Sequence, residues 1–588
     1  MLRTPLPRNV VLRRFNLMHK SLISMPQIDT SHRPIVVNER NRMIDHLPLA
    51  IHSRPLLRWF FAGSLALFSL PACGGSGPMA NGQTTTKEAA GRKPLSGKST
   101  DAEKKPTGQT SADRILNAKV IVHRPRAARE KRTGEDWPQF LGPRGTGVSG
   151  ETGLIDRWPA GGPPIIWEKR VGAGYSAPSI RGDRLVLVHR AGNEEIVDCL
   201  NAGDGSPLWR YRYPSSFRDP YGYNNGPRCT PLLTKTRCYT YGAEGKLLCL
   251  DLKTGRKLWM RDVKQDFHLY KKGTDIPNWF FGIGSTPILE GNLLITLVGG
   301  QPNSAVVAFN AETGKTVWQH VGQETWNGVE TGHGPYRWTG EEQLISYSSP
   351  IAATIHGRRH VLCLVRQGLV SLNPKDGRVN FKFWFRPRVH ESVSAARPVV
   401  VGDKILLSVA YKLGSALLQV HKDGRGYDIL WKNPRNLRTH WSTAIEVGGY
   451  LYGFTARNEA DAGMRCIELK TGRVVWRTNG FTGNLDDIAM NRTTGEIVNR
   501  KTGKVIPWPF YGRGSAIRVG DKFIVLGERG TLALVRVSPK KFEELARTSY
   551  KQIHVPSWTA PVLSRKRLYL RCEDALLCLD VAPPPARK

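Results

Sequence analysis

The chain has 588 residues, 40% of them hydrophobic, with 16 Trp, 17 Tyr, 60 Gly and 39 Pro. That is apolar enough for a large core, and the Gly and Pro content argues for many turns and against a bundle of long helices. The formal charge of +37 reads as a basic solvated surface: no Lys/Arg block interleaves aromatics in a nucleic-acid motif, so nucleic acid is not an expected partner.

In chain order, residues 1–53 carry no fold signal and read as a start placed too early, with Met43 the better start, or as an extension of the n-region that follows. Residues 54–73 follow, with Arg54 and Arg58 as a basic flank, an apolar run from Trp59 to Leu70, and Leu70-Pro71-Ala72-Cys73 at the end. The run is too short to span a bilayer and suits the apolar segment of a signal peptide. Its ending resembles a bacterial lipobox, which implies lipidation at Cys73, export, and membrane anchoring at the cell envelope or in the periplasm. From 74 to 135 the chain is rich in Lys, Arg, Thr, Gly and Pro, and it is expected to be a disordered basic linker.

From 136 to 581 the sequence repeats itself, leaving a short tail at 582–588. One unit runs from Ser176-Ala177-Pro178 through Leu185-Val186-Leu187-Val188 and Ile196-Val197-Asp198-Cys199-Leu200 to a turn at Asp204-Gly205 and then Trp209. The unit starts again near Thr230, Ser285, Ser349, Ser394, Ser442, Ser515 and Thr559. Four short strands per unit and eight units predict an all-β, eight-bladed β-propeller of four-stranded antiparallel blades. The last unit supplies only three strands, so Ile165-Ile166-Trp167-Glu168-Lys169 is expected to close that blade as its fourth.

The end of the unit is its most specific part. Asp251-Leu252-Lys253-Thr254-Gly255-Arg256-Lys257-Leu258-Trp259 has copies ending at Trp318 and Trp476. Gly serves the tight turn, and the aromatic residue four positions on offers a face to the next blade. Trp167, Trp209, Trp259, Trp318, Phe381 and Trp476 are the expected docking residues, with Trp259→Ala expected to cost about 3–5 kcal/mol if buried between blades. The units after Ser394 and Ser515 depart from the pattern. This Thr-Gly-x-x-x-Trp repeat resembles the docking motif of the pyrroloquinoline-quinone (PQQ) enzyme and outer-membrane-assembly propellers. Asp136-Trp137-Pro138-Gln139-Phe140-Leu141-Gly142-Pro143 resembles the lead-in of such propellers and reads as a structural latch.

Cys199, Cys249, Cys466 and Cys578 recur in the third strand of their units and read as buried packing residues, while Cys572 and Cys578 flank a turn and are a possible pair. With no C-x-x-C, and an acidic pair Asp486-Asp487 that fits no calcium loop, no metal site is read from the sequence.

In a propeller the loops entering each first strand gather at one end of the central channel. Here they are long and aromatic, with Tyr223, Asn225, Arg228, Trp279, His333, His390, Arg438, Trp441, Tyr511, Arg513 and Trp558 the candidate ligand-binding residues. The insertion from Thr478 to Arg513 is expected to fold over the channel mouth. The family resemblance implies two activities. One is a PQQ- and calcium-dependent alcohol or sugar dehydrogenase. Asn225, Asn278 and Glu391 offer loop oxygens for the ion, but the Cys-Cys pair that several such enzymes carry beside the cofactor is missing, and no calcium and base set aligns. The favoured reading is a monomeric, lipid-anchored scaffold that binds an envelope protein or a small-molecule ligand on its loop-rich face, with no cofactor.

Overall fold

The computed structural model describes residues 110–269, 280–337, 345–389 and 392–584. The signal segment, Cys73 and the first part of the linker lie outside the described residues. Among the described residues the strands form eight four-stranded antiparallel sheets, two of them extended by an extra strand, and one small three-stranded sheet. The eight blades, in chain order, occupy 179–214, 232–262, 288–320, 351–384, 399–433, 445–478, 515–548 and 562–580. The orphan strand Ile165–Arg170 pairs antiparallel with Ala575–Asp580 and supplies the fourth strand of blade 8, as the sequence predicts. The middle strands are buried almost throughout, because apolar residues cover both of their faces between neighbouring blades. No helix among the described residues is long and apolar enough to cross a membrane.

The docking residues join the blades into a closed ring. The indole Nε1 of Trp167, Trp209, Trp259, Trp318 and Trp476 each donates to a backbone carbonyl of the following blade, at Ala202, Leu252, Ala311, Pro374 and Ser538. The turn glycine of the next blade lies flat against the ring. A Cβ on Gly255 would sit 2.6 Å from Trp209, and its φ of +74° already disfavours a side chain. Phe381 packs 5.5 Å from Tyr427, whose hydroxyl donates to Lys382 O.

Blade 5 docks as well, through Trp431 Nε1 to Leu469 O. The repeat spacing hid this residue because its hairpin extends to Val420↔Tyr427, which lengthens the step from turn glycine to Trp. Blade 7 has Ala546 at the docking position; the seam to blade 8 is held by Thr548 Oγ1 on Gly161 O and Tyr550 Oη on Pro163 O. Trp259 is only part-buried, so the full truncation cost expected for it belongs to the fully buried Trp167.

Two expectations are corrected. The linker does not run unstructured to residue 135. Thr110 and Asp113 form a capping box on the helix Ser111–Leu116, and Val120–Val122 adds a fifth strand outside Ile165–Arg170. Arg132 then pairs with Asp580, and Arg567 reaches Ala127 O and Glu130 O, so side chains of blade 8 tie this segment down. The second concerns Cys572 and Cys578, which do not pair: all eight described cysteines are free and buried.

The lead-in at 137–149 is more than a latch, because it crosses the channel floor. Trp137 exchanges backbone hydrogen bonds with Ile180 in blade 1, and Pro138 O accepts from Leu233 in blade 2. On the far side the buried Arg397 of blade 5 donates to Gly145 O and lies over Phe140, and Val148–Ser149 pairs in parallel with blade 7.

Candidate functional site

The first strands of the blades begin with small residues, and these leave the centre of the ring open. Thr286, Ser349, Ala395, Thr443, Ser515 and Ala560 come from six different blades and line one chamber of about 230 Å³. Phe140 and Leu141 of the lead-in form part of its wall at the floor. At the loop end stand Tyr175, Tyr223, Arg228, Phe281, Tyr347, His440, Trp441, Arg513 and Trp558, and the lining is mostly apolar. A concave, mostly apolar chamber with a few polar groups is the kind of cavity that ligands occupy.

The rings contact one another in series. Tyr411 meets His440 at 5.5 Å, His440 meets Trp441 at 4.8 Å, Trp441 meets Trp558 at 4.8 Å, Trp558 meets Tyr223 at 5.7 Å, and Tyr223 meets Phe281 at 5.6 Å. Two arginines are set among them, each with its own carboxylate. The Arg513 guanidinium lies 4.8 Å from the Trp441 ring centre and 5.2 Å from that of Trp558. It pairs with the buried Glu528, which also accepts from Trp558 Nε1 at 2.8 Å. Arg228 pairs with the buried Asp219 carboxylate at 2.8 Å and lies over Phe217 and Tyr175. Burial lowers the Arg228 pKa and raises that of Asp219, so each is held charged by the other against the loss of water.

His440 is the one titratable histidine among the residues that line the chamber. Burial, together with the nearby Arg513 and Arg457 guanidinium groups, pushes its pKa down to about 3, and Tyr411 Oη holds its Nε2 at 3.1 Å. The fold therefore suits the neutral ring alone. Its contribution to stability is fully present above about pH 6.5, where the unfolded chain's histidine is neutral too, and is lost as the pH falls from there towards about 3, at up to about 1.4 kcal/mol per pH unit. His440→Gln is expected to flatten this acid slope, measured as denaturation midpoints from about pH 7 to about pH 4.

Of the candidate residues, the structure brings Tyr223, Arg228, Trp441, Arg513 and Trp558 to the chamber wall. Trp279 and His390 lie outside the described residues, as do Asn278 and Glu391. Asn225 shapes its loop instead, with Oδ1 accepting the Asp219 N–H at 2.7 Å. His333 is exposed on a turn closed by Thr331 and Gly334. Arg438 lines an outer cleft with Arg465 and Arg477, 3.7 Å from Asp461. Tyr511 is fully buried in the core of blades 6 and 7, its hydroxyl on Glu544. The insertion folds into a three-stranded sheet of Ile488–Met490, Ile497–Asn499 and Val505–Ile506, and before Arg513 it contributes nothing to the chamber. Sequence reasoning missed Tyr175, Phe281 as a wall residue, Tyr347, and the carboxylates Asp219 and Glu528 behind the arginines. The carboxylates carry no local motif, since Glu528 lies 15 residues from Arg513, just beyond the far end of the hairpin 515–526 that Arg513 precedes.

The fold raises the question of PQQ and calcium. Calcium takes six to eight oxygen ligands rich in carboxylate and carbonyl groups. Among the described residues no Asp, Glu or Asn lines the chamber, and the two arginines already hold their carboxylates. The described wall does not fit the ion.

A family model described as outer membrane protein assembly factor BamB matches residues 193–478. The quinohemoprotein alcohol dehydrogenase ADH-IIG of Pseudomonas putida is 27% identical over 140 residues, 22% of this chain and 18% of that protein. The quinoprotein alcohol dehydrogenase PedH, also of Pseudomonas putida, is 23% identical over 195 residues, 33% of this chain and 28% of that protein. The chain thus spans less than a third of the length of these curated relatives. Among solved structures, BamB from Moraxella catarrhalis aligns with a TM-score of 0.44 at 13% identity, covering 72% of this chain and 98% of that one. A quinohemoprotein alcohol dehydrogenase from Comamonas testosteroni aligns with a TM-score of 0.48 at 12% identity, covering 78% and 83%. These likenesses are distant and leave the fold to rest on the sheets, their docking residues and the repeat. On those grounds the chain is a β-propeller, with repeats that resemble those of the PQQ-like propellers.

Proposed function

We propose that this chain is an exported binding propeller, anchored at the cell envelope through Cys73, whose chamber receives a flat, largely apolar group carrying a hydrogen-bonding edge. That group belongs to a small ligand or to a side chain of an envelope protein. One observation carries the reading: His440 Nδ1 and Trp441 Nε1, on two adjacent wall residues, are buried without a hydrogen-bond partner among the described residues. Buried polar atoms left unpaired cost about 1–3 kcal/mol each, and a ligand that pairs them recovers this. The aromatic wall supplies stacking faces, and the Arg513 and Arg228 pairs fix its shape without adding net charge. The assembly-factor likeness supports a protein partner.

Calorimetric titration with small heteroaromatic probes such as indole tests the chamber. One-to-one binding is expected, weakened at least tenfold by Ala560→Phe, which fills the chamber from its wall. Equal binding to both proteins would place the ligand elsewhere.

A further inference from the structure

Behind the chamber wall, blade 8 brings together three donor side chains that no sequence motif connects. Cys572 directly follows the strand Arg567–Arg571, Asp574 sits in the turn after it, and His554 comes from the loop that enters the blade. Asp574 Oδ1 lies 2.8 Å from His554 Nε2 and 3.4 Å from Cys572 Sγ, and the three donor atoms fall within 4.8 Å of one another. We propose that His554, Cys572 and Asp574 form a binding site for a divalent transition-metal ion of the zinc class, with a fourth position open to solvent.

The histidine is oriented with Nε2 as the atom that would bind an ion. His554 Nδ1 lies 3.1 Å from Val555 O, and a carbonyl can only accept, so Nδ1 carries the hydrogen. In the neutral ring Nε2 then has a lone pair facing a carboxylate oxygen, a repulsive contact unless a proton or a metal ion lies between them. A backbone carbonyl on the far nitrogen is also the usual outer partner of a metal-bound histidine. Imidazole, thiolate and carboxylate together favour a borderline-soft ion over calcium or magnesium. Thiolate and carboxylate would balance its two charges, with the Cys572 proton released on binding. Bonds of about 2.0–2.3 Å in a tetrahedral site need donor separations of about 3.3–3.8 Å, so the Asp574–His554 gap has to open by only about half an ångström.

The surroundings leave this position available. The His554 and Asp574 side chains are 49% and 41% exposed, which opens the site to water on one side. The Arg170 guanidinium stands 3.9 Å away from Asp574, on its other oxygen. Glu573 is already committed, accepting from Tyr175 Oη at 2.8 Å and from Asn224 at 2.7 Å. Through Glu573 the turn is tied to Tyr175, which packs 5.0 Å from Trp558, and Ser557 Oγ donates to His554 O. An ion here pins the loop that carries Trp558 into the chamber wall.

The test uses the whole chain, freed of metal by chelation and titrated with Co²⁺, then with Zn²⁺. The expected result is one Co²⁺ per chain, with a thiolate-to-cobalt charge-transfer band in the near ultraviolet that Zn²⁺ abolishes and Ca²⁺ does not. Cys572→Ser should remove the band, and His554→Ala should weaken binding at least tenfold in a metal-free chain that circular dichroism shows to be folded. Absence of the band, its persistence in Cys572→Ser, or unchanged affinity in His554→Ala would each overturn the proposal. None of these outcomes bears on the chamber reading, which is tested with uncharged probes.

Discussion

Trp167→Ala is expected to lower stability by about 3–5 kcal/mol, the range for truncating a fully buried Trp. Trp167 is 0% exposed, donates to Ala202 O and lies flat on Gly205, where a Cβ would come within 2.8 Å of the ring. It also packs 6.1 Å from Tyr569. What distinguishes it from the other docking residues is its place at the seam, where the N-terminal strand closes blade 8 against blade 1. Removing it loosens the joint that makes the ring continuous, so unfolding is expected to begin there. Denaturation followed by both far-ultraviolet circular dichroism and fluorescence gives the midpoint and shows whether the blades still unfold together. Trp259→Ala, at a part-exposed position inside the ring, should cost clearly less. Equal costs at the two positions, or less than about 1 kcal/mol at Trp167, would contradict the closed-ring account.

Glu528→Ala is expected to cost about as much, for a different reason. Glu528 is buried and accepts from the Arg513 side chain, the Arg513 backbone N–H at 3.1 Å and Trp558 Nε1 at 2.8 Å. Without its carboxylate a guanidinium 13% exposed stays between two indole rings with no counter-charge. Breaking a buried pair from one side costs about 3–5 kcal/mol, whereas replacing both partners with apolar groups of similar volume is often close to neutral. The double variant Arg513→Met with Glu528→Leu should therefore recover most of the loss. A double variant as unstable as the sum of the single ones would mean that the pair is not coupled.

The sequence carried the architecture because the repeat has a local physical cause at each point. The Thr-Gly turn at Thr254-Gly255 needs a positive φ, and Trp209 of the preceding blade needs a flat, side-chain-free surface to lie on. The two requirements coincide at one glycine. Where the local cause changes, the reading fails: Trp431 docks like the others, but its longer hairpin breaks the spacing. The site was half legible. Long aromatic loops predicted a wall at one end of the channel, and Trp441, Arg513 and Trp558 meet there. Sequence could not show that Tyr511 turns into the core to reach Glu544, or that Arg438 turns outward to Asp461. Nor could it show that Asp574 and His554, 20 residues apart, face each other. These are consequences of packing between strands and blades.

The central claim is that the chamber binds a ligand without quinone chemistry. Calorimetric titration of the folded chain with PQQ, in the presence and absence of Ca²⁺, tests it most directly when followed by dye reduction with alcohols and sugars. The account predicts no calcium-dependent binding and no dye reduction, because the described wall presents no carboxylate to hold the ion. One-to-one binding at micromolar affinity or tighter that requires Ca²⁺, together with substrate-dependent dye reduction, would contradict it and make the chain a quinoprotein dehydrogenase.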